Sequence, residues 1–95
     1  MKPNVTVIHA RDNVAIALAD IAAGAMVIEG PAVQYAATGE IPYSHKVARE
    51  DITEGADIRK YGEVIGQAGA PIRRGEWVHT HNITFDDAAS GGEKK

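Results

Sequence analysis

The chain has 95 residues, enough for one small domain with a thin core and too few for a deep, self-contained active site. Its net charge of -3, with no basic cluster larger than Arg73-Arg74, argues against a nucleic-acid partner. With no cysteine, the chain can supply no disulfide, thiolate nucleophile or Cys-ligated cluster, and no apolar run is long enough for a membrane span or a signal peptide.

The sequence therefore reads as a cytoplasmic protein with no membrane partner. Val5-Thr6-Val7-Ile8 is short and apolar, which suits a buried strand. His9 stands beside the probable turn Ala10-Arg11-Asp12-Asn13 and is read as structural. Val14-Ala15-Ile16-Ala17-Leu18 alternates large apolar residues with alanine. The Ala- and Leu-rich stretch from Asn13 to Ala23 has some helical character, but the glycine pattern that follows favours a strand entering a one-turn helical corner. Met26-Val27-Ile28, Val33-Gln34-Tyr35, Lys46-Val47-Ala48, Ile58-Arg59-Lys60-Tyr61 and Val64-Ile65-Gly66-Gln67-Ala68 add further strands. Trp77-Val78-His79-Thr80-His81-Asn82-Ile83 reads as the last one. Beyond it, Asp86 to Lys95 lacks apolar periodicity and reads as a flexible tail, leaving 1–85 as the domain and 86–95 outside it.

Three segments share one pattern: Ile21-x-x-Gly24-x-x-Val27, Ile52-x-x-Gly55-x-x-Ile58 and Ile72-x-x-Gly75-x-x-Val78. The isoleucine anchors the segment in the core, and glycine supplies a positive φ at no steric cost. The β-branched residue then opens the next strand. Short strands separated by such corners predict an all-β fold.

These corners resemble the SAF domain, a small β-clip fold. Three further strings resemble the altronate/galactarate dehydratase branch of that family, in the same order. They are Ile41-Pro42-Tyr43-Ser44-His45-Lys46-Val47-Ala48, Lys60-Tyr61-Gly62-Glu63-Val64-Ile65-Gly66 and Gly75-Glu76-Trp77-Val78-His79-Thr80-His81-Asn82. Ser44 departs from the family pattern, which has glycine there. In that family the SAF part precedes a large catalytic domain, or forms a separate small chain, as in the sulfolactate sulfo-lyases. The resemblance implies a small lyase subunit, one that removes water from a sugar acid such as altronate or galactarate, or sulfite from sulfolactate. It also implies a large catalytic partner that supplies the pocket and most ligands of a divalent metal, iron by family expectation.

The residues themselves suggest where this chain would contribute. On one strand, His79 and His81 would face the same way and converge on a metal or a carboxylate, or act as a proton-transfer pair. The plain alternative is two exposed strand histidines. His45 suits general acid or base work and Lys46 suits holding a carboxylate, unless both merely decorate a surface loop. Lys60 and Asn82 are the expected substrate contacts. Against that, Tyr61 and Gly62 beside Lys60 could simply close a turn, and Asn82 could orient a histidine or cap a strand. Trp77 reads as a core or interface anchor. Two other functions are weighed: a stand-alone clip that binds an acid or carbohydrate, and an assembly role of the pilus type, which would require an export signal.

Overall fold

A computed structural model describes residues 2–85, and within them the chain is all-β with no helix. Nine short strands follow in order: β1 (Val5–Thr6), β2 (Val14–Ala17), β3 (Met26–Gly30), β4 (Val33–Ala36), β5 (Lys46–Ala48), β6 (Asp57–Lys60), β7 (Glu63–Ala68), β8 (Trp77–Val78) and β9 (Ile83–Thr84). One antiparallel sheet has the order β1-β2-β5-β8, β3 and β4 form a hairpin, and β6-β7-β9 form a third sheet. The residues expected to form the tail lie outside the described part.

Each glycine corner is a tight turn closed by a backbone bond three residues back. The donors and acceptors are Ala25 to Ala22, Ala56 to Thr53 and Glu76 to Arg73, each at 3.0 Å. Gly24, Gly55 and Gly75 take φ of 83°, 86° and 91° at the third position, as a type II turn requires. The expected one-turn helical corners are thus turns. A positive φ at the third residue ends any helical path after a single hydrogen bond.

A fourth corner exists that the glycine pattern could not reveal. Ile41-Pro42-Tyr43-Ser44 closes through His45 N–H to Pro42 O at 3.1 Å, with Ser44 at φ 67°. The corners pair off through antiparallel bridges, Ile21 with Ile41 and Ile52 with Ile72. A shift of 31 positions superimposes one pair on the other. Asp20 caps the Ser44 corner by accepting from Tyr43 N–H at 2.8 Å, and Asp51 caps the Gly75 corner by accepting from Arg74 N–H at 2.9 Å. The chain is therefore two copies of one hairpin-and-corner unit, joined where β2 pairs with β5.

Each copy has its own core. One centres on Ile21, Val27, Ile41 and Val47, and the other on Ile52, Ile58, Ile72 and Val78. Burying an isoleucine of this kind contributes roughly 1.5–3 kcal/mol, so these anchors carry much of the fold's stability. Polar clasps tie the halves together. The Glu29 carboxylate accepts two bonds from the Arg49 guanidinium, at 2.9 and 3.0 Å, and one from Tyr35 OH at 2.7 Å. The Asn13 amide donates to Asp57 O and its oxygen accepts from Arg59 N–H, holding β6 to the turn before β2.

Candidate functional site: three histidines on one indole

β5 and β8 are neighbours, with Val47 opposite Trp77 and Lys46 opposite Val78. This register brings the Ser44 corner beside the segment that leaves β8. His45 enters β5 from that corner with its backbone held on both sides. Its N–H donates to Pro42 O, and its carbonyl accepts from Ala17 N–H at 2.9 Å.

The strand carrying Trp77 stops at Val78, which corrects the expectation of one continuous strand through Ile83. From His79 to Asn82 the chain turns. The His79 carbonyl accepts from Asn82 N–H and Ile83 N–H, and Asn82 Oδ1 accepts from His79 N–H at 2.9 Å. An asparagine side chain that mimics a backbone acceptor closes such a turn locally and competes with the ladder. His79 and His81 are therefore not two rings on one strand face.

They meet by another route, through Trp77. The His79 ring stacks on the indole with centroids 5.2 Å apart and planes 9° apart, and His81 lies 5.0 Å from the same ring. His45 completes the group, 5.6 Å from Trp77 and 4.8 Å from His79, and Trp77 Nε1–H donates to His45 Nδ1 at 3.1 Å. Trp77 also packs against the first core, so the platform is anchored in the fold. Trp77 is thus the anchor expected of it, partly buried against that core. That it carries all three histidines could not be seen, because no periodicity links position 45 to position 77.

His45, Lys46 and His79 are half-buried and His81 is exposed, which leaves the cluster open on one side. Partial burial lowers the Lys46 pKa, and the nearby Lys60 charge lowers it further. Neither lysine belongs to an ion pair among the described residues. The Lys60 ammonium lies 4.8 Å above the Tyr61 ring. The His79 pKa is also lowered, first by desolvation and then by His45, Lys46 and His81. Four cation-forming groups thus crowd one edge, a field that suits an anion.

Asn82 does not reach solvent. It is buried, and its amide donates to Trp77 O at 2.9 Å and to Glu76 Oε2 at 3.2 Å while its oxygen serves His79 N–H. Asn82 thus shapes the turn that displays the histidines. Among the described residues, no group of three or more His, Cys, Asp or Glu is placed to hold a metal. A metal held by His79 and His81 would need its further ligands from outside the described residues.

A second constellation was missed at the Asp12 turn. The two-residue loop Tyr61-Gly62 between Lys60 and Glu63 has φ of 58° and 77°, the geometry of a type I′ hairpin. The tyrosine there is strained, and the buried Asp12 carboxylate holds it. Oδ2 accepts from Tyr61 N–H at 3.0 Å and His9 N–H at 3.1 Å, and Oδ1 accepts from Gly62 N–H at 2.8 Å. Burial opposes ionisation of Asp12, but these three donors outweigh it and keep the carboxyl below its ordinary value. The available signal was an Asp-Asn pair just before a strand, which commonly organises a turn.

The fold, its corners and the order of its motifs agree with a match of residues 3–86 to the model of the altronate/galactarate dehydratase SAF domain. The chain belongs to that family. It is 46% identical over 76 residues to the altronate dehydratase of Escherichia coli strain K12, covering 79% of this chain and 15% of that protein. The galactarate dehydratase (L-threo-forming) of the same organism is 37% identical over 83 residues, again 15% of its length. The SAF domain described here thus spans about 15% of those dehydratases. A relative of comparable size is the (2R)-sulfolactate sulfo-lyase subunit alpha of Chromohalobacter salexigens, 34% identical over 80 residues that cover 68% of this chain and 85% of that subunit. Among the described residues, no helix is long and apolar enough to cross a membrane.

Proposed function

We propose that this SAF domain acts as the small part of a lyase for hydroxylated acids, closing over a site built mainly by a large catalytic subunit. The reaction would remove water from a sugar acid of the altronate or galactarate type, or sulfite from sulfolactate. The observation that carries the reading is the gathering of His45, His79 and His81 on Trp77, with Lys46 alongside and one side open. An elimination needs a base for the α-proton, an acid for the departing group and cationic groups near the developing charge. Imidazoles and a lysine can supply the proton-handling and cationic parts. A pocket and a metal set cannot come from so thin a domain, so both are assigned to the partner, with iron as the family-level expectation.

The relatives' names support this division, because the sulfolactate enzyme has a subunit alpha of nearly this size. In the complex, Lys46 and Lys60 would attract the substrate carboxylate, and the histidines would serve proton transfer. The test is affinity capture of the chain, tagged at its C-terminus, from its native host, followed by assay of the complex on altronate, galactarate and sulfolactate. Recovery of a large subunit in near-equal ratio, with lyase activity on one of these acids, is the expected result. Recovery of the small chain alone would turn the reading toward an independent acid-binding clip.

A further inference from the structure

The Trp77–His45 bond determines which nitrogen of His45 holds the proton. An indole N–H can only donate, and a neutral imidazole has one donor nitrogen and one acceptor nitrogen. Nε1–H of Trp77 points at Nδ1 of His45 from 3.1 Å, so Nδ1 must offer its lone pair and the ring proton must sit on Nε2. We propose that Trp77 is a positioning residue that holds neutral His45 in the Nε2–H form, so that His45 meets a substrate oxygen as a hydrogen-bond donor.

Three features make the arrangement rigid. The His45 backbone is bonded to Pro42 and Ala17, and Trp77 is fixed by its pairing with Val47 and its packing against the first core. His79 stacks on the indole and lies 4.8 Å from the His45 ring, leaving the two rings of the Trp77–His45 bond little room to rotate. In this form Nε2 has no lone pair to accept a proton. His45 then polarises a carboxylate or a departing oxygen, and the base for the α-proton must be another group. The donor role rests on the lyase reading above, whereas the tautomer can be tested on the chain alone.

The experiment is long-range 1H–15N correlation on histidine-labelled protein at about pH 8, where imidazole is neutral. The wild type should show His45 with a protonated Nε2 and a bare Nδ1. Trp77→Phe, which keeps an aromatic platform but loses the donor, should show a tautomer mixture. A His45 proton on Nδ1, or identical spectra for the two proteins, would overturn the assignment. Should Trp77→Phe not fold, the indole N–H resonance decides. It should move and exchange faster in His45→Ala, and an unmoved resonance would overturn the bond. For the donor role, the assembled enzyme is compared with His45→Gln, which offers an N–H near the Nε2 position, and with His45→Glu, which offers only acceptors. Gln should retain about tenfold more kcat than Glu. The reverse order would make His45 a base. A confirmed tautomer with no activity change in either variant would overturn the donor role while sparing the tautomer assignment.

Discussion

Ser44 and Gly75 occupy the same place in the two halves of the chain, the third residue of a tight turn, at φ 67° and 91°. One carries a side chain in a region where L-residues are strained, and the other does not. A Cβ at Gly75 would run into the carbonyl of Ala36, so only one of the two corners can accept a larger residue.

Ser44→Gly should therefore stabilise the fold by roughly 0.5–1 kcal/mol, because relief of left-handed strain exceeds the added freedom of the unfolded chain. Gly75→Ser should destabilise by about 2 kcal/mol or more, combining backbone strain with overpacking. Urea unfolding midpoints of the two variants test both signs at once.

Asp12 should be an acid-sensitive site. Its carboxyl, and that of Glu29 held by Arg49 and Tyr35, sit below their ordinary values in the fold. A carboxyl with a depressed folded pKa stabilises fully above its unfolded value and loses that contribution as pH falls through the folded one. Stability should thus be level near neutrality and fall below about pH 4. Asp12→Ala, which strips three N–H groups of their acceptor, should cost about 3 kcal/mol at pH 7 and flatten the acid slope. Urea melts at pH 7 and pH 3 provide the check.

Replacing Asn82 distinguishes a buried scaffold from a substrate contact. Asn82→Ala should destabilise the isolated chain by about 2 kcal/mol, since buried backbone groups lose their partners. Asn82→Asp should also destabilise, because it sets a carboxylate against Glu76 and the Trp77 carbonyl. A thermal melt matching the wild type would return Asn82 to the role of surface ligand.

His79 should titrate below the ordinary histidine value of 6.5 when followed by NMR. Desolvation leads the causes, and Lys46 contributes as a neighbouring cation, so Lys46→Gln should raise the midpoint without restoring it fully. In linkage terms the unfolded chain takes this proton first, so any stability tied to His79 is present at higher pH and declines as pH falls through 6.5.

The double variant His79→Ala/His81→Ala separates chemistry from structure. Both rings lie outside the buried cores, so unfolding stability should change by no more than about 0.5 kcal/mol. Activity of the assembled complex should fall at least about 100-fold. Loss of folding in this variant would make the pair structural.

By itself the sequence determined the β class, three of the four corners and the family, because those features are local. A glycine at a positive φ between an isoleucine and a β-branched strand opener leaves its mark at fixed short spacing. The fourth corner left no such mark, since Ser44 reaches the same φ without being glycine. His45, Lys46, His79 and His81 were legible as candidates through their motifs, but their meeting point was not. Only the antiparallel register of β5 with β8 brings residue 45 beside residue 77 and makes Trp77 the common platform. Tertiary structure likewise decided that Asn82 and Asp12 are buried acceptors that shape turns, because the number of N–H groups converging on an oxygen depends on distant segments. Spacing records which side chains a turn or strand needs, whereas the partners a polar atom finds are set by how the elements pack.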